Sequence, residues 1–179
     1  MPHLVVDGYN VVHAWPALKK ALVEQGLQAS RRKLLVALAE YAARSGAAIT
    51  VVFDAHTREE RGEPLEVVDG VTVRYGTRTQ SADHVIERLA SQAARSGAAG
   101  EMIVVTGDRL QRALVGAMGV ATMSPGALEE EVALAAAEVT RDASRARSEA
   151  HRARRVEQHL SPSVLRRLEA LRRGEPLDD

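Results

Sequence analysis

Leu4-Val5-Val6-Asp7-Gly8-Tyr9-Asn10 is the stretch on which the fold turns. It is a short apolar run that stops at an aspartate. Runs this short, bounded by a turn residue, read as strands buried on both faces, as in the parallel sheets of α/β proteins. Such sheets bind their ligands just beyond the carboxyl ends of the strands. Asp7 stands at that position, Gly8 permits a sharp exit, and Asn10 offers a neutral donor and acceptor. A carboxylate there is costly unless something pairs with it. The rest of the chain must supply that partner.

The pattern recurs. Ala48-Ile49-Thr50-Val51-Val52-Phe53-Asp54 and Met102-Ile103-Val104-Val105-Thr106-Gly107-Asp108 are two more apolar runs that end at an aspartate. After the first run, Val11 to Trp15 reads as a mixed turn, and Pro16 can open a short helix that Gly26 interrupts. Ser30 is the expected N-cap of a helix running to about Ser45, with Leu34, Leu38, Tyr41 and Ala42 on one face and Gly46 closing it. Two parallel strands joined by a helix form a right-handed βαβ unit, so Asp7 and Asp54 are expected on the same sheet edge. Thr57 to Pro64 reads as a charged loop. Glu66-Val67-Val68 and Val71 to Tyr75 read as short strands around the turn dipeptide Asp69-Gly70, the first equally readable as irregular. Ser81 can cap a helix whose apolar face is Ala82, Ile86, Leu89, Ala90 and Ala93. Gly119 to Met123 is the expected last strand.

From Ala127 to about Leu160 the chain has no glycine or proline and is rich in Ala, Glu and Arg, which predicts a long helix; a shorter one follows from Val164 to Arg173. The expected architecture is α/β, with a mainly parallel, roughly five-stranded sheet flanked by helices. Its boundaries are a domain over residues 1–126 and a C-terminal helical extension, residues 127–179, packed on the same domain.

Composition narrows the function. The 179 residues suffice for one domain with a real core. There is no cysteine, which excludes disulfides, thiolate nucleophiles and Cys-based metal sites. No basic segment leads into an apolar one at the start, and no run approaches membrane-spanning length, so a cytoplasmic protein without membrane association is expected. Aromatic residues make up only 3%, too few for base stacking to dominate recognition. The formal net charge is zero, yet residues 141–173 hold ten arginines against four acids. Arg141, Arg145, Arg152, Arg155 and His159 fall within one helical stripe, which suits phosphate contact along RNA. A solvated face is the plainer reading of the same stripe.

Asp7, Asp54 and Asp108 at three strand ends, with Asp83 in the first turn of a helix, form the main constellation. Carboxylates gathered in one crevice raise each other's pKa, and a hard divalent cation such as Mg²⁺ or Mn²⁺ removes that penalty. Such a cation supports phosphodiester hydrolysis. The competing reading is that each aspartate is an ordinary turn or cap residue. Glu87 lies four residues after Asp83 on the same side of its helix and can share a cation or pair with a surface base. Thr106 and Arg109 flank Asp108 where a strand feeds a helix, a place suited to an anion and equally to plain capping. Asn10 can orient water or substrate, or simply close a turn. His84 can serve as a helper base or stand half-exposed. Arg78, in the polar link before Ser81, joins Thr106, Arg109, Arg152 and Arg155 as a candidate RNA contact.

These residues resemble a known family. Val6-Asp7-Gly8-Tyr9-Asn10, Phe53-Asp54, Gln80-Ser81-Ala82-Asp83 with Ile86-Glu87-Arg88, and Val105-Thr106-Gly107-Asp108 with Gln111 look like the NYN domains. More closely, they resemble the YacP-like branch of the PIN-related nucleases, as does the ending from Leu165 to Gly174. The resemblance implies a PIN-like Rossmannoid fold and a metal-dependent endoribonuclease acting on RNA, ribosome-bound mRNA included. It implies Asp7, Asp83 and Asp108 as metal ligands, Asn10 beside them, and Asp54 as a further member. His84 departs from the acidic or small polar residue expected at its position, which makes Glu87 the candidate for a second metal position. The alternative is a non-catalytic RNA- or ribosome-binding module that keeps the fold. A haloacid-dehalogenase type of phosphatase is disfavoured because Tyr9 stands where its second aspartate belongs.

Overall fold

The computed structural model describes residues 1–54, 65–77, 80–159, 164 and 172–173, without the side chains of 65, 139, 142, 143, 146 and 150–159. The expected charged loop at 57–64, Arg78, and most of the final helix lie outside the described residues. In chain order the elements are β1 (His3–Asp7), α1 (Gly8–Ala14), α2 (Pro16–Gln25), α3 (Leu27–Ser45), β2 (Ala48–Phe53), β3 (Leu65–Val68), β4 (Val71–Tyr75), α4 (Ala82–Arg95), β5 (Met102–Val105), α5 (Arg109–Ala117), β6 (Ala121–Met123) and α6 (Pro125–His159). The chain divides into two compact units, Met1–Ala136 and Ala137–Asp179. Among the described residues no helix is long and apolar enough to cross a membrane.

The sheet has six strands in the order β3-β4-β2-β1-β5-β6. All neighbours are parallel except β3, which pairs antiparallel with β4. The sixth strand is the segment left open as strand or irregular. Asp69 and Gly70 both have positive φ, 49° and 84°, the backbone that a two-residue hairpin requires. That turn chemistry makes β3 a strand.

Side chains alternate across β1 as a period-two strand demands. Leu4 and Val6 join Val51, Phe53, Leu34, Leu38 and Trp15 in one core layer, against α1 to α3 and the start of α6. Val5 joins Val52, Val85, Ile86, Val104 and Val115 in the other, against α4 and α5. The chain leaves β1 for β2 on one side and returns to β5 on the other. The crevice at the carboxyl ends of β1 and β5 is therefore the switch point where such sheets take ligands.

Two local expectations are corrected. Val11 to Trp15 is not a mixed turn: Asp7 caps a full helix, α1, whose Val11 and Val12 are buried. Nor is Ser30 a helix cap. α3 starts at Leu27 after Gly26, and the buried Ser30 hydroxyl donates to the Leu18 carbonyl at 2.9 Å, tying α3 to α2. A hydroxyl at a helix-interior position can satisfy itself against a neighbouring helix, which a capping rule does not foresee.

Candidate active site

The carboxyl edge of the sheet gathers the helix starts that follow β1 and β5, together with the start of α4. Asp7 is the N-cap of α1: its carboxylate accepts from the Asn10 backbone N–H at 3.0 Å and from Asn10 Nδ2 at 2.7 Å. Asp108 caps α5, accepting from the backbone N–H groups of Leu110 at 2.7 Å and Gln111 at 3.2 Å. Asp54, just past β2, accepts from the Ala82 N–H at 2.6 Å at the first residue of α4. Asp83 sits in the first turn of α4 and accepts from Gln111 Nε2 at 2.7 Å. Helix starts carry partial positive charge, which makes them the cheapest places to concentrate carboxylates.

The four acids feel one another. Asp7 is only 5% exposed. Burial pushes its carboxyl above the ordinary value; the two Asn10 hydrogen bonds oppose this, and Asp83 and Asp54 add to it. Asp83 is likewise pushed up, first by lost hydration and then by Asp54 and Asp108, against the Gln111 hydrogen bond and His84. Four segments remote in sequence thus bring acids into one electrostatic neighbourhood. Asp54, which the resemblance gives as a further member, acts on both Asp7 and Asp83.

Asn10 does more than close a turn. Its Oδ1 accepts from the Gly107 N–H at 3.1 Å while its Nδ2 donates to Asp7. One amide therefore bridges the ends of β1 and β5. Two glycines permit this. A Cβ on Gly107 would lie 2.7 Å from Asn10 Oδ1, and one on Gly8 would lie 2.2 Å from the Phe53 ring. Thr106 is fully buried, and its hydroxyl accepts from the Asp108 N–H at 3.1 Å. It shapes the turn and is not presented to a phosphate, which corrects its reading as an RNA contact. Arg109 is exposed at the start of α5. Glu87, one turn beyond Asp83, is part-exposed, and His84 is exposed with its Nδ1 2.9 Å from the Ser81 hydroxyl. Arg141 and Arg145 are exposed, Arg145 being paired with Glu149 at 3.3 Å. The side chains of Arg152, Arg155 and His159 lie outside the described residues.

Among the described residues, no three acidic or histidine side chains stand close enough to hold one metal ion as they lie. The chemistry nevertheless fits. All four acids offer oxygen, Asp7 and Asp83 are pushed toward protonation first by burial and then by their acidic neighbours, and Gln111 Oε1 is buried without a hydrogen-bond partner. Mg²⁺ commonly uses one or two carboxylates and keeps several waters, so it does not require three converged ligands.

Sequence reading left two residues without a role. Gln111 is 4% exposed and holds Asp83. It appeared only inside a motif, and its position three residues after the Asp108 cap was the available signal. Arg31 is 8% exposed, donates to the Tyr9 hydroxyl, and packs its guanidinium over the rings of Phe53, Tyr9 and Tyr75 at 4.8, 5.3 and 5.7 Å. Its spacing to Leu34 and Leu38 places it on the apolar face of α3, and a cation on such a face was the clue.

Comparison with known proteins agrees with this arrangement. The family model described as "YacP-like NYN domain" matches residues 4–173. A Bacillus subtilis (strain 168) protein named "Uncharacterized protein YacP" is 31% identical over 175 residues, covering 98% of this chain and 99% of its own. The crystal structure of Rae1 (YacP) from Bacillus subtilis superposes with a TM-score of 0.68 at 30% identity, covering 97% of this chain and 96% of that one. A structure of its tryptophan-to-leucine mutant gives 0.64 at 31% identity over 78% and 79% of the two chains.

Proposed function

Because the chain belongs to the YacP-like NYN domain family, we propose that it is a Mg²⁺- or Mn²⁺-dependent endoribonuclease hydrolysing RNA phosphodiester bonds, with ribosome-bound mRNA among its substrates. The observation that carries the proposal is geometric: Asp7, Asp54 and Asp108 stand at or just past the carboxyl ends of the adjacent parallel strands β1, β2 and β5, and Asp83 is held beside them through Gln111 on the helix that Asp108 caps. A structural cap has no need of three other acids nearby. Asp7, Asp83 and Asp108 would hold the cation, with Asp54 as a further member. When bound, it supplies Lewis-acid stabilisation of charge on the phosphoryl oxygens.

The chain's own residues do the rest. Asn10 holds the Asp7 carboxylate from two sides and locks the end of β1 to the turn after β5. Gln111 orients Asp83, and such outer partners typically contribute about 10–100-fold in metal affinity or activity. The exposed Arg109 is free to meet a substrate phosphate as a charge-assisted donor.

The test is cleavage of a labelled single-stranded RNA by the full chain with Mn²⁺, with EDTA, and by Asp7→Asn. Activity should vanish with EDTA and fall at least ~100-fold in Asp7→Asn, beyond what loss of an outer partner costs. Full metal-dependent activity in Asp7→Asn would sink the mechanism. A second reading, a non-catalytic RNA-binding module, draws support from the absence of three converged ligands among the described residues. It requires salt-sensitive RNA binding with no cleavage under any metal.

A further inference from the structure

Asp7 and Arg31 are the two buried charged side chains among the described residues, one of each sign. Asp7 belongs to the acid cluster. Arg31 has no carboxylate partner among the described residues: its polar contact is the Tyr9 hydroxyl, and its Nε is buried without a hydrogen bond. Three of the chain's four Phe and Tyr rings surround it, which compensates a cation partly and leaves it complementary to an anion.

Arg31 also lines an open groove of about 990 Å³ between α3 and the β3–β4 hairpin. Arg32 and Lys33, both exposed, stand on its rim beside Gln28, while Tyr75 lines its wall. Glu40 and Glu66 line it too, and among the described residues the lining is net positive. The groove adjoins the acid cluster through the chain itself. Tyr9 is two residues past Asp7, Phe53 immediately precedes Asp54, and both rings pack on Arg31.

We infer that this groove is a phosphate-binding subsite for the RNA strand flanking the scissile bond, with Arg31 as its buried anchor and Arg32 and Lys33 as its rim. The inference rests on the nuclease reading for the identity of the strand. Its chemistry is that of single-strand binding: a positive groove that follows the phosphates, with an aromatic face beside it. Arg31 would hold one phosphate at a fixed distance from the acid cluster and so set the register of the strand.

The test measures binding without cleavage. The full chain in EDTA is titrated into a fluorescently labelled 12-nucleotide single-stranded RNA at several salt concentrations, and anisotropy is read. Arg32→Glu/Lys33→Glu should bind about tenfold more weakly or worse, with a salt slope shallower by about 1.4 for two lost phosphate contacts on a single strand. Both residues are exposed, so circular dichroism and melting should match the unmodified chain. Arg31→Lys keeps the charge but not the planar fork, and should also weaken binding. Unchanged affinity and slope in the rim variant would overturn the inference. So would competition by adenosine 5′-monophosphate as effective as that by unlabelled RNA, which would make the groove a small-molecule phosphate site. Because no divalent metal is present, failure here is separable from failure of the catalytic reading. Asp7→Asn with full nuclease activity removes the acid mechanism and leaves this groove standing.

Discussion

Asp7 and Asp108 are built the same way and end up different. Each follows a buried parallel strand, each caps the next helix, and each accepts from backbone N–H groups of that helix's first turn. Yet Asp7 is buried and Asp108 is exposed. The difference comes from position in the sheet. β1 is central, flanked by β2 and β5, whereas β5 is covered on its far side by the three-residue strand β6. Gly8, the next residue, lies close against the Phe53 ring, and the Asn10 amide covers the Asp7 carboxylate. The same cap motif therefore carries an exposed carboxylate at one strand end and a costly buried one at the next. A buried charge that stability alone would not retain marks the centre of the site.

That contrast can be broken by experiment. The largest effect should be on metal linkage. Mn²⁺ at about 100 times its Kd should stabilise the unmodified chain by ~2.7 kcal/mol in thermal melting, and EDTA should remove the gain. Asp7→Asn should lose the whole of it, and Asp108→Asn only part, because the exposed acid is more easily replaced by water. Equal loss in both would dissolve the distinction.

Next comes Gly8→Ala. The added Cβ meets the buried Phe53 ring at 2.2 Å, and the overpacking should cost about 1–3 kcal/mol in urea unfolding. Gly107→Ala meets only the amide end of Asn10, so it should cost less, about 1 kcal/mol for the Asn10–Gly107 hydrogen bond. Asp108→Ala removes an exposed N-cap and should lower stability by about 0.5–2 kcal/mol in the same measurement.

The smallest effect is a change of slope with pH. The carboxyls of Asp7 and Asp83 are raised in the folded chain, so the metal-free native state binds protons more tightly than the unfolded one. Their contribution is most favourable below the ordinary carboxylate value of 3.8 and is lost as pH rises through their raised values. Stability of the EDTA-treated chain should fall across that window, and Asp7→Asn should fall less steeply. A parallel pair of pH profiles would show that Asp7 carries no electrostatic strain.

Much of the fold was legible because its rules are short-range. Apolar strands leading to an aspartate, Ser81 at a helix start, Gly26 and Gly46 at helix ends, and the Asp69-Gly70 turn all follow from local chemistry; the structure has each, with β5 stopping at Val105, three residues before Asp108. The misreadings at Val11–Trp15 and Ser30 came from the same rules applied without neighbours. The apolar pair Val11 and Val12 needed the sheet to bury them, and Ser30 needed Leu18.

The candidate site divides along the same line. By itself the chain determined the residue types and where each would sit along its own strand or helix: Asp7, Asp54 and Asp108 after apolar runs, Asp83 in a first turn, and glycines where a Cβ would collide. These follow from period, capping and backbone freedom within a few residues. Only the tertiary structure decided that Asp54 acts on Asp7 and Asp83, that Gln111 holds Asp83, that Thr106 is sealed inside, and that Arg31 meets three rings from β2, β4 and α1. Hydration and Coulomb interaction depend on what comes near in space, and in a parallel sheet the order of strands, not of residues, sets who the neighbours are.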